Sequence, residues 1–386
     1  MAGHGLRAGF HHPPVSNLVY FIFNLKYSAV MTKYPLALHT LYAELIEQCR
    51  ISEQTPAAWP LSGTLVKAHR EGGEHWYYQA SRRYSPDGKQ MRTYIGPASQ
   101  ALDEQTREAV ETFHREKQAW KEREKMVRAL GQLVRTPTKM VADLVLGLYE
   151  FGVLAKCILV GTVAFQGYSP LLGYSFGPEA YHTSDLDLVQ AKSIAMVPIS
   201  SGKTLPLGDI LKKIDSRFEP IWPISRKGKP SKYRIADNDL RVDVLAPARG
   251  SATSGTTPAA ALATSASRVQ FLDFLVDADP IRIPLLIGGG VMANVPEPSR
   301  YAVHKLIVAM NRSGIEQVKI RKDLAQAGTL LRLLLTDQPE SLGDVLREGL
   351  ARGPGWRQRI MRGLEALKDN EIKKKALELA AEPPEG

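Results

Sequence analysis

The run TSDLDLV, residues 183–189, sets two aspartates one residue apart inside an apolar segment. Apolar segments of this length read as strands with at least one buried side. Burying a single unpaired carboxylate already costs several kcal/mol, so the pair restricts what the surrounding fold can be. In a strand, residues i and i+2 share a face and lie about 6.6 to 6.8 Å apart. Asp185 and Asp187 therefore point one way, while Ser184, Leu186 and Leu188 point the other. Two carboxylates on one face repel unless a cation lies between them, and an all-oxygen ligand set suits Mg2+ or Mn2+ rather than zinc.

Two further segments supply neighbours for that strand. CILVGTVAF, from Cys157 to Phe165, reads as a buried strand that breaks at Gly161-Thr162 into a helix, which aims backbone N–H groups and a hydroxyl at a phosphate. KYRIADNDLRVDVLAP reads as a hairpin turning at Asp237-Asn238, in which Leu240, Val242 and Val244 alternate with Arg241 and Asp243. Asp243 then becomes a third carboxylate on an adjacent strand. Three carboxylates can hold two divalent ions about 3.5 to 4 Å apart, one activating an attacking hydroxyl and one steadying a triphosphate.

Together LVGTVAFQGY, TSDLDLV and LRVDVLAP resemble the nucleotidyltransferase fold of the DNA polymerase beta-like superfamily, whose signature is a Gly-Gly/Ser turn, an Asp-x-Asp strand and a later single Asp. More narrowly, residues 150–340, with VPEPSRYAVHKLIVAMNR and KDLAQAGTLL, resemble a bacterial nucleotidyltransferase-like family similar in outline to the abortive-infection nucleotidyltransferase toxins. The strand run ending in YIGP extends that resemblance over most of the chain after Met31. The resemblance implies an α+β protein whose core is a mixed sheet with flanking helices. It also implies Mg2+ (or Mn2+) on Asp185, Asp187 and Asp243, a phosphate-facing turn at Gly161 and Thr162, Lys305 on the nucleotide phosphates, and Asp323 as a later acid. The reaction it implies moves a nucleoside monophosphate from an NTP to a hydroxyl on an RNA end, a protein or a small molecule. A toxin-like role with an antitoxin partner is a second implication. The chain departs from the superfamily pattern at Thr162, where Gly or Ser is usual, and in the long separation of Gly161 from Asp185, where YSPLLGYSFGPEAYH reads as an insertion.

Around this core the chain divides into residues 31–135, a core at 136–298 and a helical region at 299–386, with residues 1–30 read as a disordered or upstream extension. A helix is predicted in YPLALHTLYAELIEQCR, and a β-hairpin in EHWYYQASRRYSPDGKQMRTYIGP, turning at Pro86-Asp87-Gly88. The hairpin's aromatic and basic residues suit a half-buried sheet or a platform for single-stranded nucleic acid. The second option carries an alternative function, nucleic-acid binding beside a degenerate transferase domain. Residues 101–134 form one long connector helix in which Phe113, Trp120, Val127 and Val134 recur every seven residues. Glu116 and Arg123 break the partner stripe, which predicts a packed connector rather than a coiled coil. Low complexity at 250–267 predicts a mobile loop. VQFLDFLV and IRIPLLIGGGVMANVP read as strands, and SRYAVHKLIVAMNR as a helix capped by Ser299.

Several other chemistries are excluded. Gly202-Lys203-Thr204 is no P-loop, because Val197 stands where the motif needs its first Gly and Pro206 interrupts the helix that should follow. IGGGV has the wrong spacing for a dinucleotide loop, and the nine histidines include no HExxH. Cys49 and Cys157 form no CxxC, which excludes a cysteine zinc site and reads as a reducing, cytoplasmic setting. NLVYFIFNLKYSAVM is shorter than the ~20 residues a spanning helix needs, so no membrane partner is expected. Fifty Lys and Arg against 40 Asp and Glu leave a net charge of +10, which favours phosphate-rich partners.

Overall fold

Across the central sheet the strands run in the order Thr256–Ala259, Thr264–Val269, Arg241–Pro247, Asp185–Val189, Ile158–Val160, Val291–Val295 and Ile281–Leu285. Lys232–Ile235 also pairs with Arg241–Pro247, and Phe218–Ile221 pairs in turn with Lys232–Ile235. The computed structural model describes residues 31–71, 73–81, 91–98, 102–177, 185–190, 205–223, 228–250 and 254–382. The extension before Met31, the turn at Pro86-Asp87-Gly88, Ser184, Gly202-Lys203-Thr204 and residues 251–253 of the low-complexity segment lie outside the described residues.

The aspartate strand sits in the middle of a mixed sheet. It runs parallel to Arg241–Pro247 and antiparallel to Ile158–Val160. Leu186, Leu188, Val242 and Val244 are at most 1% exposed and join the main core. At about 1.5 to 3 kcal/mol for each buried side chain, these four residues outweigh the repulsion of like charges on the opposite face. That is why the chain can place acids in a central strand.

Helices Pro298–Asn311 and Gln317–Asp337 pack against each other and close on the same core through Tyr301, Leu306, Leu330 and Leu334. Pro339–Ala351, Pro354–Ala366 and Asn370–Ala381 follow and complete the expected helical C-terminal region. The chain is therefore a mixed α/β protein, as read from the sequence. Among the described residues no helix is long and apolar enough to cross a membrane. Both cysteines are free and buried.

The N-terminal part contains one strand more than the expected hairpin. Thr64–Arg70, Gly73–Gln79 and Arg92–Pro97 form a three-stranded antiparallel sheet. The connector is a single helix, Glu104–Leu133, and Phe113, Trp120, Val127 and Val134 are all buried. Glu116 and Arg123, which interrupt its apolar stripe, are buried as well. Ser52 Oγ donates to Glu116 Oε2 at 2.6 Å, and Arg123 donates to Ser52 Oγ at 3.2 Å and to the Gly289 carbonyl at 3.0 Å. The two charged residues thus bind the connector to the Leu36–Gln54 helix and to the turn between the last two strands, where hydrogen bonding offsets the cost of burial.

Four local expectations change. Where low complexity predicts a mobile loop, Thr256–Ala259 and Thr264–Val269 pair antiparallel. Tyr233 Oη lies 2.6 Å from Thr264 Oγ1, and Ser231 Oγ lies 2.8 Å from Ser267 Oγ, so hydroxyl contacts replace the missing apolar pattern. VQFLDFLV is not one strand, because Phe271 adopts a left-handed φ of 65° and starts the short helix Leu272–Val276. The helix at 298 is capped by Glu297, whose carboxylate accepts from the Arg300 N–H at 3.0 Å. Pro298 takes the first helical position and draws Ser299 inside, fully buried. YSPLL belongs to the helix Gly161–Leu172 rather than to an insertion, and Tyr174–Ser175 then pairs with Thr32–Lys33.

Candidate active site

Strand register assembles the site. Asp243 pairs with Asp187, and Arg241 with Asp185, across the two parallel strands. Residues directly opposite each other share a face, so Asp187 and Asp243 stand side by side with Asp185 two residues away on the same strand. On the other flank Val160 pairs with Asp187, which brings the next residue, Gly161, over the carboxylate.

Gly161 adopts φ of 73°, and a Cβ there would fall 2.6 Å from Asp187 Oδ2. Only glycine lets the backbone turn at this place. The Val160 side chain does not cap the helix that starts there, and a helix N-terminus of this kind can offer first-turn N–H groups to an anion. Thr162 is buried, with Gln326 Nε2 3.4 Å from its Oγ1. Tyr301 Oη lies 2.9 Å from the Gly161 carbonyl and 3.0 Å from Gln326 Oε1. The turn is thereby tied to both C-terminal helices.

Burial, and after it the charge of Asp243, push the Asp187 carboxyl up to about 6, against the pull of Lys305 and with a further push from Asp185. Asp243 Oδ1 is buried and has no hydrogen-bond partner among the described residues, while Oδ2 lies 3.3 Å from Nζ of Lys232, a half-exposed side chain on the next strand. Lys305 Nζ donates to Asp323 Oδ1 at 2.7 Å and lies 5.2 Å from the Tyr301 ring centre. Arg312 Nε donates to Asp323 Oδ2 at 2.7 Å. Asp323 is fully buried. Burial alone would raise its pKa, but the charges and hydrogen bonds of Lys305 and Arg312 prevail and hold it below the ordinary carboxylate value. Both of its oxygens are thus engaged in fixing cations. Burial and the charge of Lys305 lower the Lys322 pKa, against the attraction of Asp323, Asp185 and Asp187. His304 is buried, neither ring nitrogen has a partner among the described residues, and burial together with Lys305 pushes its pKa down to about 3, which leaves it neutral.

Among the described residues, no three His, Cys, Asp or Glu side chains stand close enough to hold a metal ion as they are placed. The converging unit is the pair Asp187 and Asp243. Its orphan buried oxygen, the raised Asp187 pKa and the all-oxygen donor set fit a hard divalent cation. Lys232 meanwhile neutralises part of the Asp243 charge.

Sequence reasoning anticipates Asp187, Asp243 and Gly161 side by side, with Asp185 two residues along the same strand; it names Lys305 for the nucleotide phosphates and Asp323 as a later acid, but not the ion pair that joins them. It does not pair Lys232 with Asp243, although reflecting Asp243 through the Asp237-Asn238 turn lands on that residue. It also misses Arg312, Lys322, Tyr301 and Gln326, whose relation to the acids depends on helix packing that no local pattern encodes.

A family model described as nucleotidyltransferase matches residues 139–351, more than half of the chain. No curated protein and no solved structure matches it.

Proposed function

The chain belongs to the nucleotidyltransferase family, and from that premise we propose that it moves a nucleoside monophosphate from an NTP to a hydroxyl acceptor, with a divalent cation as cofactor and pyrophosphate as second product. The acceptor is an RNA end, a protein or a small hydroxyl compound. The observation that carries this reading is the register of Asp187 against Asp243 directly under the Gly161 turn.

Asp187 and Asp243, with Asp185 beside them, are the residues that would hold Mg2+ or Mn2+. When bound, such a cation supplies charge neutralisation at the triphosphate and at the attacking hydroxyl. The uncapped helix N-terminus at Gly161 offers backbone N–H groups to phosphate oxygens. Lys305, fixed by Asp323, adds a positive charge near Asp187. The acceptor oxygen forms a bond to the α-phosphorus as the bond to the bridging oxygen breaks, and pyrophosphate leaves with that electron pair. The acceptor's proton passes to Asp243 Oδ1, which has no competing partner among the described residues. Most of the barrier is removed by positioning and charge neutralisation.

The test is label transfer from each of four α-labelled NTPs, with Mg2+, into total RNA or protein. Asp187→Ala should abolish transfer while circular dichroism stays native. Transfer that persists in this variant removes the assignment.

A further inference from the structure

The N-terminal sheet presents two faces of different character, and among the described residues the connector helix packs on one of them. Tyr78 faces inward, stacked at 6.3 Å on Trp59 and edge-on at 6.2 Å to Phe113 of the connector helix. Trp76 is on the same side, edge-on to His114 and under Lys67. Strand alternation puts His75, Tyr77 and Gln79 on the opposite face. The register adds Thr64, Val66, Ala68 and Arg70 from one neighbour, and Arg92 and Tyr94 from the other.

That outer face presents polar residues, as the solvated side of an antiparallel sheet does, but they flank aromatic rings. It carries an aromatic row. Tyr94 is 56% exposed, its ring lies 5.6 Å from Tyr77 and 5.7 Å from His75, and its hydroxyl is 3.4 Å from His75 Nδ1. Arg92 donates to Gln79 Oε1 at 2.8 Å, which orders its guanidinium beside the row. Among the described strand residues on this face there is no carboxylate, while Arg70 and Arg92 are both exposed. Glu74, the acid of these strands, is on the packed side, opposite His69. Cross-strand packing accounts for aromatic pairs in general, but not for a row that leaves Tyr94 exposed and Tyr77 and His75 half-buried, with the one carboxylate of the described strands on the other face.

We propose that this outer face, centred on Tyr94, Tyr77 and His75 with Arg92 and Arg70 at its margins, binds single-stranded nucleic acid. Bases stack on the rings, and the arginines take the phosphates, the combination by which sheet platforms hold single strands without sequence preference. The face shares no residue with the carboxylate site, and the binding proposed for it requires no transfer reaction.

The experiment is fluorescence anisotropy of a labelled 12-nucleotide uridine RNA and its single-stranded DNA counterpart, with chelator present and no NTP. Tyr94→Ala should weaken binding about tenfold or more, within the range of one lost base-stacking contact, and Tyr94→Phe should restore it. Arg92→Ala should reduce the slope of log affinity against log salt by about 0.7, the value for one phosphate on a single strand. Asp187→Asn should bind as the wild type does, which separates this proposal from the assignment of the transferase site. Failure of the wild-type protein to bind either strand would overturn the proposal. So would equal binding by Tyr94→Ala, or equal affinity for a duplex of the same length.

Discussion

Replacing Asp187 by Asn removes a charge from a buried position flanked by two other aspartates. Its carboxyl is raised from 3.8 to about 6 by burial and by Asp243. The folded protein therefore holds a proton on Asp187 over a range in which the unfolded chain has released it, so stability falls as pH rises from about 4 to about 6. Above that range the ionised carboxylate costs up to about 3 kcal/mol at 1.36 kcal/mol per pKa unit. Asn has nearly the same shape and no charge. In chelator at pH 7.5, Asp187→Asn should be more stable than the wild type by as much as about 3 kcal/mol, and near pH 4 the gap should close. Urea unfolding at a series of pH values measures this directly, provided the m-value is the same in both proteins. Mn2+ should raise the wild-type midpoint at pH 7.5 by mass action and leave the variant little changed. An Asn variant that is less stable at pH 7.5, or a stability difference that does not vary between pH 4 and 7.5, would refute the electrostatic argument.

Gly161→Ala forces a Cβ to within 2.6 Å of Asp187 Oδ2 at a left-handed φ. It should cost about 1 to 2 kcal/mol from backbone strain alone and abolish label transfer, read by thermal melting and the NTP assay. Lys232→Ala frees Asp243 of its half-exposed partner and should tighten Mn2+ binding, by up to about fivefold for a surface pair worth no more than about 1 kcal/mol. Titration of free Mn2+ by paramagnetic resonance checks this, and weaker binding would contradict it. Asp323→Ala leaves Lys305 and Arg312 without their shared buried partner and should destabilise the fold by about 3 to 5 kcal/mol, measured by chemical denaturation.

The sequence determined the parts of this protein that rest on period and turn chemistry. Alternation in SDLDLV and LRVDVLAP fixes which side each aspartate takes, and the Asp237-Asn238 turn fixes the register that follows it. A glycine after three buried strand residues marks where the backbone must pass close to something, and that something is Asp187. Seven-residue spacing gives the connector helix its full length. Tertiary structure decided the rest. The hairpin of Thr256–Ala259 and Thr264–Val269 is held by hydroxyl contacts to Ser231 and Tyr233, which a string of Ser, Thr and Ala does not announce. Whether Lys305 meets Asp323, or Glu116 meets Ser52, depends on how distant helices pack, because charge pairs carry no periodicity of their own. The two faces of the N-terminal sheet separate for the same reason: alternation sorts Tyr77 from Tyr78, but the packing of the connector helix decides that Tyr78 is the one buried.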